Sequence, residues 1–290
     1  MIVCNNIISG VDLGPDTERN ISYTAYFASK TGATVRLLYI IDYLLTPPAY
    51  LTSYIEEEKK REEKEMARLQ GLLKGLAIKT ESTVMLGRLH ESFLQVIRET
   101  SAKLLVIGYK AHLLKPSSSE RLIKSLAIPM LVIRGERAEK ASPGTVKIRK
   151  ILCPVDFSEN SRKAISLAKG YAELFSAELH ILHVIPSHVM KERWEQWINP
   201  DNKDSQQFEE GLRSDAAAKL SQLRKEFDIS AEAGIVQGAP GQMICFAAEE
   251  GAYDMLVMGA RGLSYIQGVL IGSTTESVLR TSPCPVLVVH

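Results

Sequence analysis

The chain is duplicated along its length, and this limits its possible folds more than any other feature. Four segments of the first half recur in the second half at a nearly constant spacing of 144 to 156 positions. The corresponding segments are residues 8–12 and 152–156, 33–41 and 177–185, 104–108 and 255–259, and 128–133 and 284–289. A period this long indicates two duplicated domains, because solenoid repeats are only roughly 20–50 residues long.

Each copy alternates short apolar runs with helical stretches, which predicts an α/β fold. Strands that alternate with helices form a parallel sheet with right-handed crossovers and helices on both faces. Between the copies the composition changes to charged residues, Ser, Pro and Gly, which suits an exposed tether. We therefore expect a first domain over residues 1–135, a linker over 136–146 and a second domain over 147–290.

The charge balance and the cysteines exclude several classes of protein. Lys and Arg number 35 against 34 Asp and Glu, a formal net charge of +1, so we expect no binding to nucleic acid or to anionic membranes. The four cysteines form no CxxC pair, which is typical of core residues in a reducing compartment. Neither a signal peptide nor an apolar run of about 18 residues is found, so the prediction is a cytoplasmic protein.

A glycine-rich segment follows an apolar run in the second copy. Residues 255–258 are all apolar, as in a buried parallel strand. Gly259 and Gly262 come directly after them, and Gly272 precedes a helical stretch. Such glycines let backbone N–H groups approach an anion, and a helix N-terminus favours phosphate. On spacing alone, a plain turn followed by a helix cap is an equally good interpretation.

Together with the first strand, residues 150–156, and the closing strand, this G-x2-G-x9-G-[ST] pattern resembles a universal stress protein domain of the ATP-binding type. The resemblance covers almost the whole chain as two tandem domains. It implies two open, parallel five-stranded sheets of Rossmann-like, adenine-nucleotide-binding type. It also implies a site for ATP or AMP and pairing through the last strand of each domain.

The resemblance further implies which residues hold the nucleotide. Asp156 would meet the adenosine, the backbone at Val184 would read the adenine edge, and the glycine loop would cradle ribose and phosphates. Without the resemblance, Asp156 is as well explained as a turn or N-cap residue before a helix that starts near Asn160, and Val184 as core packing. The full set of expected binding residues is Pro154, Val155, Asp156, Val184, Gly259, Arg261, Gly262, Gly272, Ser273 and Thr274.

The first copy departs from this pattern in its loop. Ala111 stands in the place of Gly262 and Pro116 in the place of Gly272, and the loop is five residues shorter. Proline has no N–H to offer a phosphate. Asp12 and the serines at 117–119 are retained, so weak binding stays open. We expect the first domain to act mainly as a pseudo-symmetric partner.

Three functions remain open at this stage. The second domain binds ATP or AMP as a regulatory or stress-response ligand, or it hydrolyses ATP slowly, or the chain is an interaction module without a nucleotide. We expect the first of these, with Mg²⁺ possible, but assign no catalytic residue and no metal ligand. The apolar closing strands, residues 130–133 and 286–289, would pair to form an intramolecular pseudo-dimer. A homodimer through the segment of Trp194 and Trp197 is possible.

Overall fold

The computed structural model describes residues 4–14, 16–42, 52–109, 118–139, 141–187, 203–231, 233–262 and 271–290. The first half contains β1 (Asn6–Gly10), α1 (Thr17–Thr31), β2 (Thr34–Asp42), α2 (Thr52–Gly75), β3 (Thr80–Gly87), α3 (Leu89–Thr100), β4 (Leu104–Gly108), α4 (Ser118–Ile123) and β5 (Met130–Ile133). After the short helix α5 (Glu136–Glu139), the second half contains β6 (Lys150–Val155), α6 (Glu159–Phe175), β7 (Glu178–Pro186), α7 (Lys203–Glu226), β8 (Ala233–Gly238), α8 (Pro240–Glu250), β9 (Met255–Gly259), α9 (Ser273–Thr281) and β10 (Val286–Val289).

The strands form one sheet in the order β3-β2-β1-β4-β5-β10-β9-β6-β7-β8. All pairs within a half are parallel, and the halves join where β5 and β10 run antiparallel, with Leu131 opposite Leu287. Both joining strands are buried throughout. The predicted α/β fold with two five-stranded parallel sheets is confirmed, and the two sheets are continuous with each other.

Helices cover both faces of the sheet, as predicted. Buried side chains of α1, α2, α6 and α7 form one hydrophobic cluster, and those of α3, α4, α8 and α9 form another on the opposite face. Each cluster contains residues from both halves. Strands that are covered on both faces need apolar residues at every position, which explains the uninterrupted apolar runs of β4, β5, β9 and β10.

An aromatic cluster joins α1 of the first half to α6 of the second. The fully buried ring of Phe27 lies 5.1 Å from both Tyr171 and Phe175, measured between ring centroids. Tyr26 lies 5.0 Å from Phe175, and its hydroxyl accepts a hydrogen bond from the backbone N–H of Ile148 at 3.4 Å. The two halves are therefore joined by helix packing as well as by the sheet.

The segment between the halves is more ordered and more buried than the expected exposed tether. Ala138, in α5, is 0% exposed, and Val146 is 9% exposed. Gly135 has a φ of 84°, and a Cβ placed there would lie 2.3 Å from the carbonyl group of Pro283. Residues 136, 142, 144 and 145 are exposed, as expected of a tether, whereas Ala138 and Val146 pack into the molecule. The domain boundaries at 135 and 146 remain a prediction.

The cysteines are free thiols, as expected for core residues. Cys4, Cys153 and Cys284 are buried, and burial raises the pKa of the Cys4 thiol to about 11.

Among the described helices, none is both long enough and apolar enough to cross a membrane.

Candidate functional site

The candidate site lies where the strand order of the second half reverses. From β6 the chain builds β7 and β8 on one side and then places β9 and β10 on the other. Asp156 directly follows β6, and Gly259 ends β9. Open α/β sheets bind ligands outside the carboxyl ends of their strands at such a reversal. Topology alone therefore brings the predicted carboxylate and the predicted glycine loop to the place where a ligand would bind.

Asp156 forms a turn and does not cap the following helix. Its Oδ1 accepts a hydrogen bond from the backbone N–H of Ser158 at 3.0 Å. The N-cap of α6 is Ser158, whose hydroxyl accepts from the N–H of Ser161 at 3.2 Å. Phe157 has a left-handed φ of 66°, and Leu13, which follows Asp12 in the first half, has a φ of 52°. Both halves thus repeat a turn that is costly for a residue with a side chain, by about 1–3 kcal/mol.

Gly262 lies directly against the carboxylate of Asp156. A Cβ built on Gly262 would be 2.2 Å from Asp156 Oδ2, far inside the van der Waals distance. Gly259 approaches α6 less closely, since a Cβ there would lie 3.1 Å from backbone and side-chain atoms of Asn160, a tight contact. Both glycines lie at close approaches of the backbone, and Gly262 brings the loop to the acidic side chain.

The third glycine joins the loop to the start of α9. Its backbone N–H donates to the carbonyl of Ala260 at 2.7 Å, and Gly272 occupies the N-cap position. The hydroxyl of Thr275 donates to the carbonyl of Gly259 at 2.9 Å. Since Gly272 is the cap, Ser273 and Thr274 lie within the first turn of the helix. The start of α9 is consequently fixed beside the end of β9.

The remaining predicted residues lie on β6 and β7. Pro154 and Val155 pair with Leu182 and His183 and are buried. The side chain of Val184 is 7% exposed and packs in the core, in agreement with the simpler interpretation of this residue. The expected reading of adenine by its backbone remains a prediction.

Three residues at this edge were missed by the sequence analysis. His183 Nδ1 donates to the carbonyl of Val155 at 2.8 Å, and its ring lies 4.5 Å from that of Phe157. Lys219 of α7 places its Nζ 5.6 Å from the centroid of Phe157. Burial lowers the pKa of His183, so the ring is neutral near pH 7. Lys219 is one of many charged residues of α7. Their spacing along the sequence does not indicate that this lysine reaches the edge of the sheet.

The first half has a cleft at the equivalent reversal between β1 and β4. Asp12 repeats the turn of Asp156, because its Oδ1 accepts from the N–H of Gly14 at 3.1 Å. Tyr109, which corresponds to the buried Ala260, lines this cleft and was not considered in the sequence analysis. Ala111 and Pro116 lie outside the described residues. The cleft is lined by Asp12, Asp16, Arg19, Asn20, Gly108, Tyr109 and Ile133.

No group of three or more His, Cys, Asp or Glu side chains suited to a metal ion occurs in the described ranges. The possible Mg²⁺ remains a prediction.

Trp194 and Trp197, the residues named for a homodimer contact, lie outside the described part of the chain.

His290, beside the loop at the carboxyl end of β10, gives the protein a predicted acid sensitivity. Burial and, second, the charge of Arg261 lower the pKa of His290 to about 4, against about 6.5 for an unfolded chain. As the pH falls, the unfolded chain takes up this proton first. The free energy of unfolding should therefore fall between about pH 6.5 and 4, by about 2–3 kcal/mol from this group, and level off below.

Urea denaturation of wild type and of the variant His290→Asn across this pH range measures the effect. His183, whose pKa is also lowered, contributes to both proteins and cancels in the difference. We expect the variant to lose less stability on acidification. Parallel pH profiles would contradict the assignment to His290.

Comparison with known proteins identifies the family. The sequence model of the universal stress protein family matches residues 4–134 and again residues 147–290. A universal stress protein of Methanocaldococcus jannaschii is 33% identical over 156 residues, covering 50% of this chain and 96% of that protein. One from Synechocystis is 25% identical over 319 residues, covering 97% of this chain and 98% of the relative. The chain belongs to the universal stress protein family as a tandem member.

A solved structure supports the fold over the full length. The crystal structure of a universal stress protein from Archaeoglobus fulgidus matches with a TM-score of 0.72 and 21% sequence identity. The match covers 98% of this chain and 96% of that chain. The tandem arrangement of two α/β halves is therefore shared with a known structure.

Proposed function

We propose that this protein binds an adenine nucleotide, ATP or AMP, in the second half and serves in regulation or stress response. The proposed ligand residues are those named from the sequence: Pro154, Val155, Asp156, Val184, Gly259, Arg261, Gly262, Gly272, Ser273 and Thr274. The proposal is supported by the place of the site in the sheet and by the chemistry of its groups.

The observation that carries the proposal is the contact between Gly262 and Asp156. A glycine lets the loop meet the carboxylate without displacement, since a Cβ would come within 2.2 Å of Oδ2 and the loop or the carboxylate would have to move. This approach places an acceptor for ribose hydroxyls next to a loop and a helix start that offer backbone N–H groups to phosphate. Arg261, between the first two glycines, adds a positive charge suited to a phosphate oxygen.

We assign the first half the role of a partner in an intramolecular pseudo-dimer. Its closing strand β5 pairs with β10 and completes the sheet. In its own cleft the ring of Tyr109 occupies the position of Ala260, and its hydroxyl donates to Glu120 Oε1 at 3.1 Å. A large ring at the start of the loop leaves less space for a nucleotide than an alanine does.

Calorimetric titration with ATP and with AMP tests the proposal. We expect one site per chain. Asp156→Asn should weaken binding by about 10- to 100-fold, as expected for a hydrogen bond to a charged group. The matched variant Asp12→Asn, at the equivalent turn of the first half, should bind like the wild type. Two equivalent sites, no binding, or equal losses in the two variants would contradict the proposal.

A further inference from the structure

The two ends of α9 are held by different halves of the chain. At its start, the N–H of Gly272 donates to Ala260 and the hydroxyl of Thr275 donates to Gly259, both within the second half. At its end, the helix meets Arg134, which follows the closing strand of the first half. The helix that begins at the proposed phosphate cradle is thus fixed from across the junction.

Arg134 satisfies the carbonyl groups at the end of α9. Its Nε donates to the carbonyl of Ser282 at 3.0 Å, and its Nη1 donates to the carbonyl of Leu279. The last carbonyl groups of a helix have no partner within the helix, and a cation there also interacts favourably with the helix dipole. One guanidinium therefore fixes both the position and the direction of this helix end.

The guanidinium is itself held in place by the first half. It lies 5.3 Å from the ring centroid of Tyr109, within range of a cation–π interaction. Burial lowers the pKa of Arg134, yet a guanidinium keeps its charge in proteins. The next residue, Gly135, packs against the carbonyl of Pro283 at a distance that excludes a Cβ. The backbone and the side chain of this segment both contact the turn after α9.

An ion pair adds a second link between the first half and α9. Lys124 Nζ lies 2.9 Å from Glu276 Oε1, and Arg280 of the same helix lies 3.1 Å from that oxygen. Lys124 and Arg280 lower the pKa of Glu276. These groups are exposed, and exposed ion pairs contribute little to stability. The contacts of Arg134, which are partly buried and reach two backbone carbonyls, are therefore the main link.

In the part of the chain that the structure describes, the second half has no arginine that holds a helix of the first half in the equivalent way. His290 occupies the position equivalent to Arg134, 156 residues later. Within the described residues, neither ring nitrogen of His290 has a hydrogen-bond partner. An imidazole also lacks the forked donors with which Arg134 reaches two carbonyls. The second half, which has the complete glycine pattern, is thus the one whose helix α9 is held by an arginine of the first half.

We propose that Arg134 is a positioning residue for the nucleotide site, which makes phosphate binding in the second half depend on the first half. This inference rests on the proposed function. Arg134 does not contact the ligand; it holds α9 so that the N–H groups of the first turn face the phosphates. The adenosine part of the ligand, which would contact β6 and β7, is outside its influence.

Calorimetric titration with ATP and with adenosine separates positioning from a general loss of structure. Arg134→Met should weaken ATP binding by about ten-fold and change adenosine binding by less than about two-fold. Arg134→Lys should lie in between, since lysine keeps the charge but not the fork. The matched control is Arg36→Met, because Arg36 pairs with Glu81 across β2 and β3 and does not touch α9.

Hydrogen exchange of the amides at 276–282, which the helix protects through bonds such as Glu276 N–H to Gly272 and Ser282 N–H to Val278, gives an independent measurement without nucleotide. We expect faster exchange in Arg134→Met, and in Arg134→Lys if the first variant does not fold. Wild-type ATP affinity in Arg134→Met, or equal losses for ATP and adenosine, would overturn the positioning role. A wild type that binds neither ligand would overturn the proposed function, and unchanged exchange would then reject the link as well.

Discussion

Replacing Gly262 with alanine is expected to remove nucleotide binding. The new Cβ would lie 2.2 Å from Asp156 Oδ2, so either the loop or the carboxylate must move. Oδ1 of the same carboxylate is already held by the N–H of Ser158 at 3.0 Å, so its rotation breaks the turn after β6. Both movements displace proposed ligand groups. We expect ATP affinity to fall on the order of 100-fold or more, equivalent to about 2.7 kcal/mol, measured by calorimetric titration.

The matched control is Gly108→Ala in the first half. Gly108 ends β4 as Gly259 ends β9, and a Cβ built on it meets no atom within 4 Å. This variant should bind ATP like the wild type and unfold at the same urea concentration. Near wild-type affinity in Gly262→Ala would show that the loop against Asp156 is not the cradle. Similar losses in both variants would assign the effect to stability.

The parts of the site that follow from strand order were predictable from the sequence. Asp156 and Gly259 come at the ends of apolar runs, and parallel strands bring such ends to one edge of the sheet. Gly262 lies against Asp156, while the expected cradle for a nucleotide stays a prediction. The capping residue was less predictable, because Asp156, Ser158 and the residues near Asn160 are all compatible with a helix start. Only the turn geometry distinguishes them.

Side chains that reach the site from other elements were not predictable. Lys219 comes from a helix whose mixed charges fit a solvated face. The spacing of its charged residues does not distinguish this lysine from the others. Tyr109 stands where the second half has Ala260. The most visible departure of the first-half loop is its missing glycines, and these do not indicate that an aromatic ring lines the cleft. Arg134 becomes important only once β5 pairs with β10, because that pairing determines which helix end it meets. Such contacts depend on how helices pack on the sheet and, for Arg134, on how the halves join, and local patterns encode neither.

Packing between the halves leads to the largest expected change in stability. Phe27 of α1 is 0% exposed and packs against α6, with the rings of Tyr171 and Phe175 at 5.1 Å. Phe27→Ala removes a buried ring and leaves a cavity that rigid neighbours from two halves cannot easily fill. We expect the free energy of unfolding to fall by about 3–5 kcal/mol, a large part of the roughly 5–15 kcal/mol typical of folded proteins. Urea denaturation followed by circular dichroism measures this loss.

The control for ring removal is Phe246→Ala. Phe246 lies on α8 and is 59% exposed, so its removal should change stability by less than about 0.5 kcal/mol. Because Phe27 packs against the other half, its loss should also weaken the coupling between halves, and the urea transition should broaden or divide into two. A single transition shifted by less than about 1 kcal/mol would contradict the role of the aromatic cluster. The antiparallel pair β5 and β10 would then be the main contact that joins the halves.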